Sequence, residues 1–195
     1  MKDQEKITGI ILAGGKSSRM GKDKGMCIFN DKPLIEYAIE VLKPFCGEIL
    51  LSTNTITGYE KYGLELVKDE IKEIGPMGGI YSCLKKSKSQ YNFVLSCDTP
   101  FISRELIKFI IENIDDDFDI VAPLHQTSYL EPLCACYNIS VLSQLQSYIE
   151  KGDFKLMGLL KSQKLKQLLI DDQLGFYNLK LFNNLNTSED LLKCI

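Results

Sequence analysis

The sequence predicts a single-domain, three-layer αβα fold around a mostly parallel, Rossmann-like sheet. Two observations predict it: short apolar, β-branched segments alternate with helical patterns, and those segments are apolar almost without interruption. Strands of that kind are typical of a parallel sheet that helices cover on both faces. Because 195 residues suffice for one well-buried domain and are few for two, we expect residues 1–195 to form one domain.

Five segments of the first two thirds of the chain are predicted strands, since each is short, apolar and rich in β-branched residues. In an open α/β sheet, ligands bind beyond the carboxyl ends of the strands. The loops that follow these segments are therefore where chemistry is expected. The predicted strands are Ile7–Leu12, Glu48–Ser52, Leu64–Lys68, Asn92–Ser96 and Asp119–Pro123.

Three helices are predicted between these strands from apolar residues at helical spacing. The first is Pro33–Leu42, with Asp31 as its expected N-terminal cap. The second, Met77–Lys86, follows a Gly-Pro pair, and the third, Arg104–Asn113, is expected to be capped by Ser103.

The pattern changes after Pro123. We expect a strand, two helices, an edge or antiparallel strand, and a terminal helix that begins at Thr187 or Ser188. The first four of these are Pro132–Tyr137, Ser140–Glu150, Lys155–Ser162 and Leu165–Ile170.

The charge and composition are those of an ordinary globular protein, 45% hydrophobic and 25% charged. A net charge of −3 provides no general attraction to nucleic acid, so any anion site must be a local arrangement. The N-terminal segment lacks the apolar stretch of a signal peptide, and no segment has the length of a membrane span. We expect a cytoplasmic protein that binds neither nucleic acid nor membranes.

The seven cysteines lie mostly in apolar segments, and no CxxC pair occurs. With a single histidine, His125, there is little to build a Cys/His zinc site. We therefore expect buried, reduced thiols. His125 is interpreted as a surface loop residue rather than a catalyst.

A glycine-rich segment with four cationic side chains, residues 13–24, follows the first strand. Glycines let a backbone approach an anion closely, and exposed N–H groups in such a turn bind phosphate oxygens. The spacing differs from a Walker A loop, and GxGxxG is absent. The charge density favours a triphosphate, and the alternative is a solvated basic loop. The glycines are Gly14, Gly15 and Gly21, and the cations are Lys16, Arg19, Lys22 and Lys24.

An aspartate, Asp98, follows the strand Asn92–Ser96 in the segment Ser-Cys-Asp-Thr-Pro. Its carboxylate could meet phosphates over the sheet edge, and hard oxygens suit Mg²⁺, which proteins bind through few carboxylates together with phosphates and waters. An aspartate two residues before proline is also common in turns. The residues alone leave both interpretations of Asp98 open.

The segment LAGGKSSRMGKDK, residues 12–24, resembles the signature LAGGxxxRMGxDK of the nucleotidyltransferase superfamily and is most similar to the molybdenum cofactor guanylyltransferases. The resemblance implies a fold of the nucleotidyltransferase (GT-A-like) type. It places nucleotide binding in residues 7–100 and acceptor binding in residues 101–195. It also implies that the residues at the start of the signature contact the nucleotide. The arginine and the last lysine of the signature are implied to contact its phosphates. These positions are Leu12, Ala13, Gly14, Gly15, Arg19 and Lys24.

Two further segments, CDTP and NLNT, resemble the metal site of this family. They imply Asp98 as the Mg²⁺ ligand, completed by Asn184 or Asn186. The alternative for the second segment is that Asn186 or Thr187 caps the last helix.

The resemblance implies that Asp69 contacts the guanine or the ribose, and the alternative is that Asp69 is a solvated loop residue. GPMGG, residues 75–79, resembles a nucleotide-contacting loop that includes Gly78, although tight helix–sheet packing would explain its glycines equally well. Relatives often have Asn at the position of Ser52, so Ser52 or Asn54 is expected to contact the base.

The resemblance implies transfer of GMP from GTP to the phosphate of molybdenum–molybdopterin with Mg²⁺ as cofactor. Arg19, Lys24 and Asp98 are the expected catalytic residues, and no general base is needed, because a phosphate monoester with a second pKa of about 6 is mostly a dianion. The alternatives are a CTP-dependent or sugar-phosphate transferase, and a non-catalytic carrier. We also expect a monomer that contacts cofactor-synthesis proteins or molybdoenzymes transiently.

Overall fold

The computed structural model describes residues 7–14, 23–126, 128–187 and 190. Within these ranges the chain forms an eight-stranded sheet, a separate two-stranded hairpin and five α-helices. The strands are β1 (Ile7–Leu12), β2 (Ile28–Phe29), β3 (Lys32–Pro33), β4 (Glu48–Ser52), β5 (Glu65–Val67), β6 (Tyr91–Ser96), β7 (Ile120–His125), β8 (Tyr129–Leu130), β9 (Cys134–Asn138) and β10 (Leu165–Ile170). The helices are α1 (Leu34–Leu42), α2 (Pro76–Lys86), α3 (Arg104–Glu112), α4 (Val141–Glu150) and α5 (Leu156–Ser162).

The main sheet has the strand order β10-β7-β9-β6-β1-β4-β5, and β8 pairs with β7 beside this path. β9 is antiparallel to β6 and β7, and β8 is antiparallel to β7, whereas the other neighbours are parallel. The chain adds β4 and β5 on one side of β1 and then places β6 on the other. The mostly parallel sheet is confirmed, and the reversal at β1 creates the crevice where such folds bind ligands.

Helices cover both faces of the sheet. In β1, Ile7 and Ile11 pack in one core cluster with residues of α1 and α3, whereas Ile10 and Leu12 pack with α2, α4 and α5. All four side chains are buried. Burial on both faces explains why the strand is apolar rather than alternating, and the predicted three-layer architecture is confirmed.

β1, β4 and β10 have their predicted bounds, and the other predicted strands and helices of the described region are present with slightly shifted ends. The Ser103 hydroxyl accepts the Leu106 N–H at 3.2 Å and caps α3 as expected. β9 begins later than predicted, because Cys134 N donates to Glu131 O (3.1 Å) in a turn. β10 is an edge strand, parallel to β7. Beyond Thr187 and Asp190, the predicted terminal helix lies outside the described residues.

The prediction that Asp31 caps the first helix is wrong. Asn30 and Asp31 have φ of 46° and 61° and form the two-residue turn between β2 and β3. Asn and Asp tolerate this left-handed conformation, and such pairs are typical of tight hairpins. Pro33 instead precedes α1, without a side-chain cap.

Most cysteines are buried, as predicted, although Cys46 is half-buried and Cys194 lies outside the described residues. Burial raises the pKa of the Cys46 thiol to about 12. None of the helices in the described ranges combines the length and apolar character needed to cross a bilayer. The buried cysteines are Cys27, Cys83, Cys97, Cys134 and Cys136.

Candidate active site

The carboxyl ends of the central strands meet at one edge of the sheet. The register places Leu12 of β1 opposite Ser52 of β4 and Ser96 of β6, and Ser52 opposite Val67 of β5. The loops after β1, β4, β5 and β6, where the sequence predicts ligand binding, therefore leave the sheet side by side. Strands are spaced by about 4.8 Å, so side chains from neighbouring loops can share one ligand.

Ala13 and Gly14, the first residues of the glycine-rich segment 13–24, are held by the neighbouring strands. Ala13 N and Gly14 N both donate to Ser52 O, at 3.0 and 3.1 Å, and Cys97 N donates to Leu12 O at 3.1 Å. Ala13 is buried while Gly14 is exposed. The predicted site residues Gly15 and Arg19 lie outside the described residues.

Lys24, at the end of the predicted phosphate loop, lies against the predicted metal ligand. Its ammonium donates to Asp98 Oδ2 and, at 2.6 Å, to Asn186 Oδ1. The Asp98 side chain is 11% exposed. A carboxylate this buried needs a nearby cation to compensate for its lost hydration. The cation is Lys24, which lies 74 positions before Asp98 in the chain.

The second carboxylate oxygen, Asp98 Oδ1, is buried and has no hydrogen-bond partner within the described part of the chain. A buried, unpaired carboxylate oxygen is costly unless a ligand completes it. Hard oxygens of this kind fit Mg²⁺, which relies on substrate phosphates and water for most of its coordination. The described residues contain no cluster of three or more His, Cys, Asp or Glu side chains around a metal position.

The segment with both candidate asparagines crosses the same edge. Leu185 N donates to Asp98 O at 2.9 Å, and the buried Leu185 side chain packs with Cys27 and Phe29. Asn184 is exposed, and the contact with Lys24 is made by Asn186. Of the two asparagines, the structure brings Asn186 to the Lys24–Asp98 pair.

Capping interactions are present in this segment as well. The Thr187 hydroxyl accepts the Asp190 N–H at 3.1 Å, and Asp190 Oδ2 accepts the N–H groups of Asn186 and Thr187 at 2.9 and 2.8 Å. This reciprocal pattern is typical of a helix start. Thr187 thus provides the cap that was the alternative interpretation, while the Asn186 side chain remains directed to Lys24.

Asp69 lies beside Ser52 and Asn54, and both of these residues are close to Gly14. Its carboxylate accepts from Ser52 Oγ at 3.2 Å and from Asn54 Nδ2 at 3.0 Å, and Asp69 N donates to Asn54 Oδ1 at 3.3 Å. Asp69 is therefore hydrogen-bonded to neighbouring residues, and its contact with a nucleotide stays a prediction. Ser52 is 2% exposed whereas Asn54 is exposed, so Asn54 offers the accessible amide.

The glycines at the start of α2 are needed for packing. A Cβ on Gly78 would lie 2.7 Å from Ile71 O, and one on Gly79 would lie 2.4 Å from Ser52 Oγ. Both glycines are buried, whereas Gly75, with φ of +67°, is exposed at the helix start. Helix–sheet packing thus explains Gly78, and its contact with a nucleotide remains a prediction.

The Gly78→Ala variant is expected to lose about 1–3 kcal/mol of folding free energy, because backbone must move to admit the methyl group. Gly158→Ala is the matched control. Gly158 lies in α5, and its Cβ would be 3.6 Å from the nearest atom, Tyr148 Cε1 of α4. Alanine is also the better helix former by up to about 1 kcal/mol. Urea denaturation measures both, and equal midpoints for the two variants would contradict the packing argument.

His125 is placed differently from the prediction. It is the last residue of β7 and half-buried, not in a loop. Its Nε2 lies 2.7 Å from Glu131 Oε1, and its ring stacks on Phe182 with centroids 4.5 Å apart. Burial raises the pKa of Glu131, while the adjacent His125 acts in the opposite direction.

Asp23 and Tyr59 were not predicted from the sequence as parts of the site, although they form a hydrogen bond directly before Lys24. Tyr59 is completely buried and donates its hydroxyl hydrogen bond to Asp23, the residue before Lys24. The one available signal was the aspartate itself, an acid among four cations in residues 13–24. No local pattern marked Tyr59.

Known proteins share this architecture over nearly the whole chain. The crystal structure of molybdopterin-guanine dinucleotide biosynthesis protein A from Archaeoglobus fulgidus superimposes with a TM-score of 0.80 and 26% identity, covering 95% of each chain. A Flavobacterium johnsoniae protein named probable molybdenum cofactor guanylyltransferase is 34% identical over 187 residues, 96% of this chain and 95% of that protein. The Vibrio parahaemolyticus molybdenum cofactor guanylyltransferase is 36% identical over 185 residues, 93% of this chain and 91% of that protein.

The shared fold, with Gly14 and Asp98 just beyond the carboxyl ends of the adjacent strands β1 and β6, defines the chain as a nucleotidyltransferase. Residues 9–168 match the model of one family within that class. The chain belongs to this family, the MobA-like NTP transferase domain.

Proposed function

We propose that this chain transfers GMP from GTP to the terminal phosphate of molybdenum–molybdopterin, forming the guanine dinucleotide cofactor and releasing pyrophosphate. The observation that carries the proposal is the cluster of Lys24, Asp98 and Asn186 at the carboxyl ends of β1 and β6. The names of the relatives supply the nucleotide and the acceptor.

The nucleotide is proposed to lie across this edge. Leu12, Ala13, Gly14 and Gly15 are its backbone contacts near the phosphates. The base is proposed to lie over Ser52, Asn54 and Asp69. The Asn54 amide and the Asp69 carboxylate are hydrogen-bonded to each other, and this bond fixes the orientation of both groups. A carboxylate accepts hydrogen bonds, and guanine has N–H donors along one edge. A carboxylate facing the base therefore favours guanine.

The reaction needs charge neutralisation more than proton transfer. An acceptor phosphate oxygen attacks the α-phosphorus, a new P–O bond forms, and the bond to the bridging oxygen of the leaving pyrophosphate breaks. The attacking dianion has no proton to lose. Lys24 and Arg19 are proposed to neutralise the phosphate charge that develops during this exchange. Bound Mg²⁺, held by Asp98 with Asn186 or Asn184, would act as a Lewis acid on phosphate oxygens.

The acceptor is proposed to occupy the C-terminal half of the same edge. A cavity of about 290 Å³ lies there, lined by Gln126, Ile170, Asp171, Tyr177 and their neighbours. It adjoins β7 and β10, which are paired through His125 and Ile170. Three strand spacings of about 4.8 Å separate β10 from β6, a span that one pterin with its phosphate arm can cover.

Nucleotide choice is tested by thermal shift with GTP, CTP, UTP and ATP, each with Mg²⁺. Ligand at 100 times its dissociation constant stabilises the fold by about 2.7 kcal/mol, which raises the melting temperature by about 5–10 °C for a chain of this size. We expect this shift with GTP and a markedly smaller one with the other three. A largest shift with CTP would instead support the cytidylyltransferase alternative.

Transfer itself is tested by measuring pyrophosphate release with GTP and molybdenum–molybdopterin supplied together. Release that requires both substrates supports the proposal. Binding of GTP without any pyrophosphate would support the alternative of a non-catalytic carrier. A sugar phosphate in place of the pterin tests the remaining alternative.

The setting of the reaction is part of the proposal. We propose a monomer acting in the cytoplasm, with transient contacts to the proteins that make the pterin or receive the product.

A further inference from the structure

Lys24 is held at its backbone by two hydrogen-bonded residues, the half-buried Asp23 and the buried Tyr59, which the proposed reaction does not itself use. Asp23, immediately before it, accepts the Gly25 N–H at 3.1 Å and so caps the short 3₁₀ helix Lys24–Met26. The same oxygen, Asp23 Oδ1, accepts the hydroxyl of Tyr59. The Asp23 carboxylate therefore links the backbone at Lys24 and Gly25 to Tyr59, 36 positions later in the chain.

Tyr59 is a rigid partner. It is 0% exposed and among the largest fully buried side chains. It packs in the same core cluster as Ala13 and Cys97, the residues that directly follow β1 and β6. Close-packed aromatic rings have little freedom, so its hydroxyl is a fixed point behind the proposed active site.

Gly25 shows how closely the backbone approaches this fixed point. A Cβ at Gly25 would lie 2.4 Å from the Tyr59 hydroxyl oxygen. A side chain is therefore excluded at the position directly after Lys24. Tyr59 thus constrains the positions of both neighbours of Lys24. It hydrogen-bonds to Asp23 and leaves no space for a side chain at Gly25.

We propose that Tyr59 and Asp23 are a positioning pair that holds the backbone of Lys24 so that its ammonium reaches the phosphate-binding edge at Asp98. This inference rests on the proposed function, in which Lys24 binds the triphosphate. A lysine side chain is long and flexible, so its backbone must be fixed if the ammonium is to meet a phosphate at low entropic cost. Tyr59 and Asp23 act through Lys24 and do not touch the substrate.

Tyr59→Phe removes the hydroxyl and keeps the buried ring. Tyr62→Phe is the matched control, because Tyr62 lies in the same loop and donates its hydroxyl to Glu36 at 2.9 Å, away from Lys24. We expect Tyr59→Phe to lower kcat by about 10- to 100-fold, the range in which small misplacements of a reacting group act. Tyr62→Phe should stay within about threefold of the wild-type protein, as expected for a change that leaves the reacting groups in place.

A conservative change at Asp23 separates positioning from charge. Asp23→Asn keeps an oxygen that can accept from both Tyr59 and Gly25, whereas Asp23→Ala removes it. We expect kcat to be largely retained in Asp23→Asn and reduced in Asp23→Ala as in Tyr59→Phe. Equal losses in the two Asp23 variants would overturn the proposal.

The decisive test is a double-mutant cycle of Tyr59→Phe and Lys24→Met, with the binding of magnesium tripolyphosphate and of magnesium GTP measured by calorimetry. If Tyr59 acts through Lys24, Tyr59→Phe weakens tripolyphosphate binding in the wild-type background and has no further effect once Lys24 is replaced. An equal loss in both backgrounds, or no binding of either probe to the wild-type protein, would overturn the positioning role. Because tripolyphosphate has no base, failure of the guanine assignment or of GMP transfer would leave this outcome intact and be seen separately in the pyrophosphate assay.

Discussion

Asp98→Ala is expected to abolish turnover, with kcat lower by at least about 10²–10³, the loss seen when one preorganised charge-stabilising group is removed. The carboxylate follows β6, and its oxygen Oδ1 is buried without a hydrogen-bond partner in the described residues. Its other oxygen accepts from Lys24. The variant thus removes both the proposed metal ligand and the group that orients the lysine.

Asp98→Asn and Asp115→Ala are the controls for this experiment. The asparagine keeps the shape of the side chain and loses its charge, so we expect nearly the same loss of activity. Asp115 follows α3, and its carboxylate accepts the Asp117 N–H at 3.0 Å. Its replacement should leave kcat unchanged. Binding of Mn²⁺ with GTP, followed by electron paramagnetic resonance, gives a second readout, and near-normal activity and metal binding in Asp98→Ala would refute the assignment.

Lys24→Met is expected to lower kcat/KM by about 10²–10³, because it removes a cation proposed to neutralise the transferring phosphates. Methionine keeps the unbranched side chain, so the change is mainly one of charge. The buried Asp98 carboxylate also loses its partner, and an unpaired buried charge is destabilising. We therefore expect a lower melting temperature of the ligand-free protein as well.

The matched control is Lys32→Met. Lys32 forms an ion pair with Glu40 at 2.7 Å and lies over the ring of Tyr37, but its surroundings are the β2–β3 hairpin rather than the sheet edge. Its replacement should leave kcat/KM within about twofold, since surface ion pairs contribute little. If Lys24→Met behaved like Lys32→Met, the proposed role of Lys24 in phosphate binding would be wrong.

Local sequence patterns were enough to predict most of the elements. β1 and β4 were bounded correctly because each is an apolar run that ends at small or polar residues. Ser103 was a correct cap because the serine directly precedes an apolar helical repeat. Asp31 failed as a cap because the Asn-Asp pair forms a hairpin turn, and a two-residue turn competes with a cap for the same residue types.

The choice between Asn184 and Asn186 could not be made from the sequence. Both are polar residues on either side of a leucine, and the sequence treats them alike. The hydrogen bond from Leu185 N to Asp98 O fixes where this segment crosses the edge, and Asn186 is then the residue that meets Lys24. Tyr59 and Tyr62 are a similar case, since only packing distinguishes the fully buried ring from the half-buried one.

By itself, the sequence determined the local chemistry of this protein. It has apolar strands, a glycine-rich segment with several cations directly after the first strand, and an aspartate just after a later strand. These features depend on residues close together in the chain, so periodicity and composition report them. The tertiary structure decided which of them meet, because Lys24 contacts residues 74 and 162 positions away. Contacts at that separation depend on strand order, register and core packing, which many weak interactions along the whole chain set together.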